Sequence, residues 1–127
     1  MNINEMSGQE KSVLLAKAMG LEIEPHFAHP HDIFIKIPPE WDYEWELLEG
    51  DFYTAPMEIS WRVLNWANEQ HAPDPREEYI ADDIQEYMCF YGPWLSILPP
   101  EEAQKNILDQ ILTLAIGAGL VEVEHGQ

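Results

Sequence analysis

The uneven distribution of charge is the feature that most constrains this chain. Acidic residues number 24 against six Lys and Arg, which gives a formal net charge of −18. An unpaired carboxylate is costly to bury, so most of these side chains must lie at the surface of any fold.

The acids are concentrated in two runs. The first acidic run lies between Lys36 and Arg62, contains no base, and consists of Glu40, Asp42, Glu44, Glu46, Glu49, Asp51 and Glu58. The second acidic run has Arg76 as its only counter-charge and consists of Glu69, Asp74, Glu77, Glu78, Asp82, Asp83 and Glu86. Two local negative fields are therefore expected.

The spacing of these acids leaves two interpretations open. A helix over residues 40–51 would place one carboxylate per about 3 Å, and an extended chain one per about 6 Å, against about 1.7 Å per charge in duplex DNA. At the helical density a site built for phosphates could accept this surface. The alternative is that the acids form solvated faces that serve solubility alone.

Length and composition predict a single globular domain over residues 1–127. The chain has 127 residues, of which 46% are hydrophobic, enough for one core. No apolar run approaches the ~20 residues of a membrane span, and no secretory leader is recognisable. With a single cysteine, a reducing cytoplasm is the expected location, without membrane association.

Hydrophobic periodicity predicts a helix-rich α+β fold with a small sheet covered by helices. Ser7 and Glu10 form a capping box before a helix over residues 8–19, which Gly20 ends. Residues 32–37 alternate as a strand, closed by Pro38 and Pro39.

Further helices are predicted downstream. Thr54 is a candidate N-cap for a helix that reaches about Glu69, and a last long helix opens at Pro99-Pro100 and ends at Gly119.

Two segments have ambiguous patterns. Residues 40–48 fit both the helical and the strand period, and Pro39 together with Gly50 favours a short helix. Asp74 and Glu77 predict a helix through about Tyr91. Residues 87–91 also fit a strand paired with 94–98 around a Gly92-Pro93 turn, which would add to the sheet.

Candidate chemistry in the sequence is sparse. His26, His29 and His31, followed by Asp32, are metal-ligand types, but their spacing matches no defined site and we assign no metal. Glycine-rich phosphate loops and hydrolase motifs are absent from the sequence, and Cys89 sits in an apolar context expected to bury it. We therefore expect a non-enzymatic protein without a cofactor.

The five tryptophans divide into two groups. Trp41 and Trp45 lie within the first acidic run, where an aromatic anchor beside charged groups is typical of protein interfaces. Trp61, Trp66 and Trp94 are expected in the core. The aromatics of the first group, with His26 and Arg62, are also compatible with a pocket for a small ligand such as a nucleotide.

Three stretches of the chain resemble small phage proteins of the phage α/β/α-sandwich domain family. They are Ser12-Val-Leu-Leu-Ala-Lys-Ala-Met-Gly20, Thr54-Ala-Pro-Met-Glu-Ile-Ser-Trp-Arg-Val-Leu64, and Pro99-Pro100 leading into Ile111-Leu-Thr-Leu-Ala-Ile-Gly-Ala-Gly-Leu120. They cover less than half of the chain. The resemblance implies a sheet covered by helices and an origin in a mobile element, and it brings no catalytic residues.

Together these features predict an acidic protein that binds a basic, nucleic-acid-handling protein and occludes it, as phage inhibitors of CRISPR or restriction systems do. Direct binding to nucleic acid is excluded because it requires Lys and Arg to neutralise phosphates. The candidate partner-binding residues are Glu40, Trp41, Asp42, Glu44, Trp45, Glu46, Glu49, Asp51, Glu77, Glu78, Asp82 and Asp83. The alternative is a protein that binds or sequesters a small ligand in the aromatic and histidine pocket.

Overall fold

The computed structural model describes residues 3–25, 33–41, 47–49, 51–74 and 76–122. These residues form four α-helices and a three-stranded antiparallel sheet, which confirms the predicted helix-rich α+β class. In chain order the elements are α1 (Gly8–Met19), β1 (Ile23–Pro25), β2 (Ile33–Lys36), β3 (Leu47–Glu49), α2 (Met57–Asn68), α3 (Ile80–Leu95) and α4 (Pro100–Gly117).

Helix α1 has the predicted boundaries. Ser7 Oγ accepts a hydrogen bond from the Glu10 N–H at 3.2 Å, so the N-terminus is capped by the residue that the sequence indicates. Gly20 ends the helix in the left-handed region with a φ of 76° and donates its N–H to the Lys17 carbonyl at 3.1 Å. Glycine adopts this conformation without steric cost.

The sheet is built around the predicted strand, β2, which pairs with β1 on one side and β3 on the other. Ile35 faces Ile23 and Leu48 in the two ladders. Ile35 and Leu48 are buried, whereas Lys36 points outward. Both residues belong to the same apolar core as residues of the four helices.

The predicted short helix over residues 40–48 is wrong at both described ends. Pro39–Trp41 forms a 3-10 turn and Leu47–Glu49 is a strand, while residues 42–46 lie outside the described part of the chain. Leu47 is exposed and Leu48 is buried, the alternation of a strand. Pairing with β2 therefore overrides the helical period.

Helix α2 begins two residues later than predicted, at Met57, with Pro56 instead of Thr54 in the N-cap position. Thr54 is not the cap, because Asp51 holds it in a separate turn. Asp51 Oδ1 accepts from the Thr54 N–H at 2.8 Å and from its hydroxyl at 3.1 Å. Because Thr54 is bound to Asp51, it does not cap the helix, and the helix begins at Met57.

Helix α3 begins later and ends later than predicted. Asp74 does not cap it, since its carboxylate binds Arg76, and the helix starts at Ile80. Asp82 Oδ2 instead accepts from the Tyr79 N–H at 3.2 Å, satisfying a donor at the helix start. The alternative hairpin over residues 87–98 is wrong, because the helix runs through Gly92 and Pro93 to Leu95.

Helix α4 has the predicted opening and packs against α1, α2 and α3. Residues from the helices, the sheet and the loop before α2 share one apolar core. Its most deeply buried large members are Phe52, Leu15, Ile35, Ile59, Ile80, Ile84, Leu108, Ile111 and Leu112. Within the described residues, no helix is both long and apolar enough to span a bilayer.

Two buried side chains fasten the loop before α2. Gln104 of α4 donates to the carbonyls of Phe52 and Ala55 at 2.8 and 2.9 Å. Ser12 of α1 accepts from the Phe52 N–H at 2.9 Å. Satisfying these backbone groups allows the loop to enter the core.

Three predicted core residues lie at the surface instead. Trp61 is 48% exposed and Trp94 is 44% exposed, while Trp66 packs against the core as predicted. Cys89 is exposed rather than buried. Trp94 and Cys89 belong to α3, where apolar residues surround the helix and only one side faces α2 and α4.

Candidate partner-binding surface

Acids of the second run gather at the beginning of α3. Glu77 and Glu78 are exposed in the segment before the helix, and Asp82 and Asp83 occupy its first turn. Asp82 is exposed and Asp83 is half-buried. The positive end of the helix dipole favours carboxylates in this turn. The helix dipole therefore offsets part of the repulsion among these carboxylates, three of which are exposed to solvent.

Acids of the first run are only partly within the described residues. Glu40 is exposed, and the neighbouring Trp41 is half-buried against the core. Glu49 pairs with Phe34 through its backbone in β3, and Asp51 holds the turn with Thr54. The remaining candidates, Asp42, Glu44, Trp45 and Glu46, lie outside the described residues.

The Lys and Arg side chains that form ion pairs do so with acids other than the candidate partner-binding residues. Among the described residues the pairs are Lys11 with Asp109 at 3.0 Å, Lys36 with Glu22 and Glu24 at 2.9 and 3.1 Å, and Arg76 with Asp74 at 3.1 Å. Glu40, Glu77, Glu78, Asp82 and Asp83 take part in none of these pairs. In the described part of the chain, no ion pair therefore neutralises the charge of these carboxylates.

The two runs are attached to different parts of the fold. The first run surrounds β3, which pairs with β2, and the second run leads into α3, which packs on α2 and α4. Within the described residues, α3 makes no extensive packing contact with the sheet. The acids of the second run, Glu77, Glu78, Asp82 and Asp83, therefore gather at the beginning of α3. The described acids of the first run lie at or beside β3 instead.

A half-buried polar cluster links α1, α4 and the loop before α2, and sequence analysis missed it. Lys11 Nζ and the Tyr53 hydroxyl both donate to Asp109 Oδ1, at 3.0 and 2.7 Å. Lys11 Nζ also lies 5.0 Å from the centre of the Tyr53 ring, a cation–π geometry. Burial and the Asp109 carboxylate raise the pKa of the Tyr53 hydroxyl far above its ordinary value. No local pattern connects three residues so distant in sequence.

Sequence analysis also missed an exposed apolar face on the second half of α3. Phe90 is 71% exposed, Tyr91 50% and Trp94 44%, and Ile97 just beyond the helix is 78% exposed. The signal in the sequence is the density of apolar residues in 87–95, since a helix with one buried stripe cannot cover them all.

The histidine cluster at His26, His29 and His31 lies outside the described residues. Within the described part of the chain, no group of three or more His, Cys, Asp and Glu side chains is arranged to hold a metal ion.

Comparison of the chain with protein-family models, with curated proteins and with solved structures finds no match. The resemblance to phage α/β/α-sandwich proteins therefore stays a prediction.

Proposed function

We propose that this protein is a non-catalytic inhibitor that binds a basic, nucleic-acid-handling protein in the cytoplasm and occludes its phosphate-binding site. The class we infer is that of phage-encoded proteins directed against host CRISPR or restriction systems. The observation that carries the proposal is the group of exposed carboxylates before and within the first turn of α3, which make no ion pair within the described residues.

The proposed mechanism divides between attraction and retention. Carboxylates of the two acidic runs attract a cationic cleft over long range and raise the association rate. Glu77, Glu78 and Asp82 then occupy positions that phosphates would take. Apolar contacts, including Trp41 and Trp45 on the first run, exclude water and slow dissociation.

The test is displacement of nucleic acid from purified basic effectors. A fluorescent DNA duplex is bound to each of a panel that includes an RNA-guided nuclease and a restriction endonuclease, and its anisotropy is followed as the protein is added. We expect displacement from at least one effector, with an affinity that weakens steeply as salt is raised. Glu77→Gln combined with Glu78→Gln should weaken it about tenfold.

The matched control is Glu5→Gln combined with Glu122→Gln, which removes the same charge from exposed positions outside both runs. We expect the control to change displacement less than twofold. Equal losses in the two double variants, or displacement that is insensitive to salt, would contradict the proposal. The proposal would also be contradicted if the DNA stayed bound to every effector of the panel.

A further inference from the structure

The exposed apolar residues of α3 form one continuous face. Phe90, Trp94 and Ile97 follow one another at helical spacing of four and three residues, so their side chains project from the same side. The chain continues its helical path beyond Leu95, because the Ile97 N–H bonds to the Trp94 carbonyl at 3.2 Å. Ile97 is therefore aligned with the two aromatic rings.

The aromatic rings beside this face are arranged before any partner binds. The Tyr87 and Tyr91 ring centres are 5.0 Å apart, and the Tyr91 and Trp94 ring centres are 6.3 Å apart in an edge-to-face arrangement. On the opposite side of the helix, Ile84 and Leu95 are buried in the core. A rigid aromatic surface loses little conformational entropy when it is covered.

The size of the face is that of an interaction site. The exposed parts of Phe90, Tyr91, Trp94 and Ile97 amount to about 500 Å², most of it apolar, which is comparable to the largest patch that a typical monomeric protein leaves uncovered. A standard interface buries about 800 Å² on each partner. The face is thus large enough to form the centre of an interface whose rim is polar.

Acidic residues flank this face on both sides along the chain. Asp83 and Glu86 lie one helical turn before Tyr87 and Phe90. The exposed pair Glu101 and Glu102 begins α4 after the far end. The sequence contains no Lys, Arg or His between Arg76 and Lys105. A complementary partner segment therefore combines apolar side chains with basic ones.

A second copy of this chain does not meet that requirement. Two copies joined through this face would bring acidic rims together, each on a molecule of net charge −18. Opposed like charges disfavour association. Charge complementarity instead selects a partner segment of opposite sign.

We propose that the face formed by Phe90, Trp94 and Ile97 docks an amphipathic basic segment of a protein partner. Its apolar side chains cover the aromatic rings, and its Lys and Arg side chains pair with the carboxylates at Asp83, Glu86, Glu101 and Glu102. The inference rests on the proposed function and adds to it the principal hydrophobic contact, on α3.

The test uses a synthetic amphipathic helical peptide with leucines on one face and lysines on the other, labelled with a fluorophore. Binding is measured by anisotropy against the full-length chain. Phe90→Ser combined with Ile97→Ser should weaken binding at least about tenfold, because both side chains lie at the centre of the contact. Leu47→Ser combined with Leu120→Ser, at exposed leucines elsewhere, is the matched control and should change it less than twofold.

Cys89 provides a readout at the site itself. It is the single cysteine of the chain, it is exposed, and it precedes Phe90 in α3. Saturating peptide should slow alkylation of Cys89 at least about threefold, since the docked helix covers the neighbouring surface. A peptide of the same composition with its leucines scattered should not protect the thiol.

The outcomes separate this inference from the proposed function. Equal binding of the amphipathic and scattered peptides, or no effect of the Phe90 and Ile97 changes, overturns the docking face even where DNA displacement persists. Self-association that these changes abolish in sedimentation velocity also overturns it, with a second copy as the occupant. Peptide docking without DNA displacement supports the face and overturns the nucleic-acid-handling partner.

Discussion

At the scale of single residues, Tyr53 shows how the fold uses charge in its interior. Its hydroxyl donates a hydrogen bond to Asp109 Oδ1, which also accepts one from Lys11 Nζ. A single carboxylate oxygen of α4 therefore links α1 and the loop before α2. Breaking a partly buried pair of this kind leaves a charge without compensation, which costs more than the pair itself contributes. The cluster therefore fixes how α1, α4 and the loop before α2 meet.

The raised pKa of Tyr53 predicts how stability depends on pH. Burial is the main cause, followed by the hydrogen bond and the charge of Asp109. The folded protein keeps this proton when the unfolded chain releases it near pH 10, so the contribution of Tyr53 is complete below about pH 10 and is lost as the pH rises further. In Tyr53→Phe the fall in the free energy of unfolding should be shallower by up to about 1.4 kcal/mol per pH unit, measured by urea unfolding.

The tyrosinate absorbance supplies the control for that experiment. In the folded state near pH 11, wild type and Tyr53→Phe should show the same absorbance, because Tyr53 stays protonated. In guanidinium chloride the wild type should exceed the variant by one tyrosinate. A difference of one tyrosinate in the folded state at that pH contradicts the prediction. Tyr87, whose pKa burial also raises, is present in both proteins and cancels in the comparison.

At the scale of elements, α3 contains a dipeptide that usually ends a helix. Pro93 lacks the N–H that would bond to the Cys89 carbonyl, but both residues are exposed, so water can satisfy that carbonyl. The residue before a proline normally avoids helical geometry because its Cβ meets the proline ring. Gly92 has no Cβ, which lets the helix continue to Leu95.

This explanation predicts that the effect of Gly92→Ala changes sign with the residue that follows. An added Cβ at Gly92 meets nothing within 4 Å apart from its chain neighbours. With Pro93 present, Gly92→Ala should destabilise the protein by about 1 kcal/mol through the clash with the ring. In a Pro93→Ala background it should stabilise by about 0.5–1 kcal/mol, the helix preference of alanine over glycine. Chemical denaturation of the four proteins measures both values, and the same sign in the two backgrounds contradicts the explanation.

The elements also show what the sequence can predict. Helix α1 was predictable because Ser7 and Gly20 act on groups three residues away. Strand β3 was not predictable, because it depends on pairing with β2. The late start of α2 was not predictable either, because it depends on the hydrogen bond from Thr54 to Asp51. For the candidate site, the acids at α3 follow from sequence. The exposure of Phe90 and Trp94 does not, because it depends on which side of the helix α2 and α4 cover.

At the scale of the whole molecule, the net charge of −18 lies on a surface of 8063 Å², about 450 Å² for each charge. Spread evenly at that density, the charges would be about 20 Å apart and largely screened in physiological salt. The four acids at the start of α3 are far closer together. They repel one another, so the folded state carries an electrostatic cost that a partner of opposite charge would remove.

That cost can be measured without knowing the partner. Glu77→Gln combined with Glu78→Gln relieves repulsion at exposed positions, so it should raise the free energy of unfolding at low salt by about 0.5–1 kcal/mol. The gain should shrink in high salt, where charges are screened. Glu5→Gln combined with Glu122→Gln removes the same charge elsewhere and should gain less. The measurement is urea unfolding at two salt concentrations. Equal gains in both double variants would show that the carboxylates before α3 are not locally crowded. The attraction proposed for a cationic partner would then lose its physical basis.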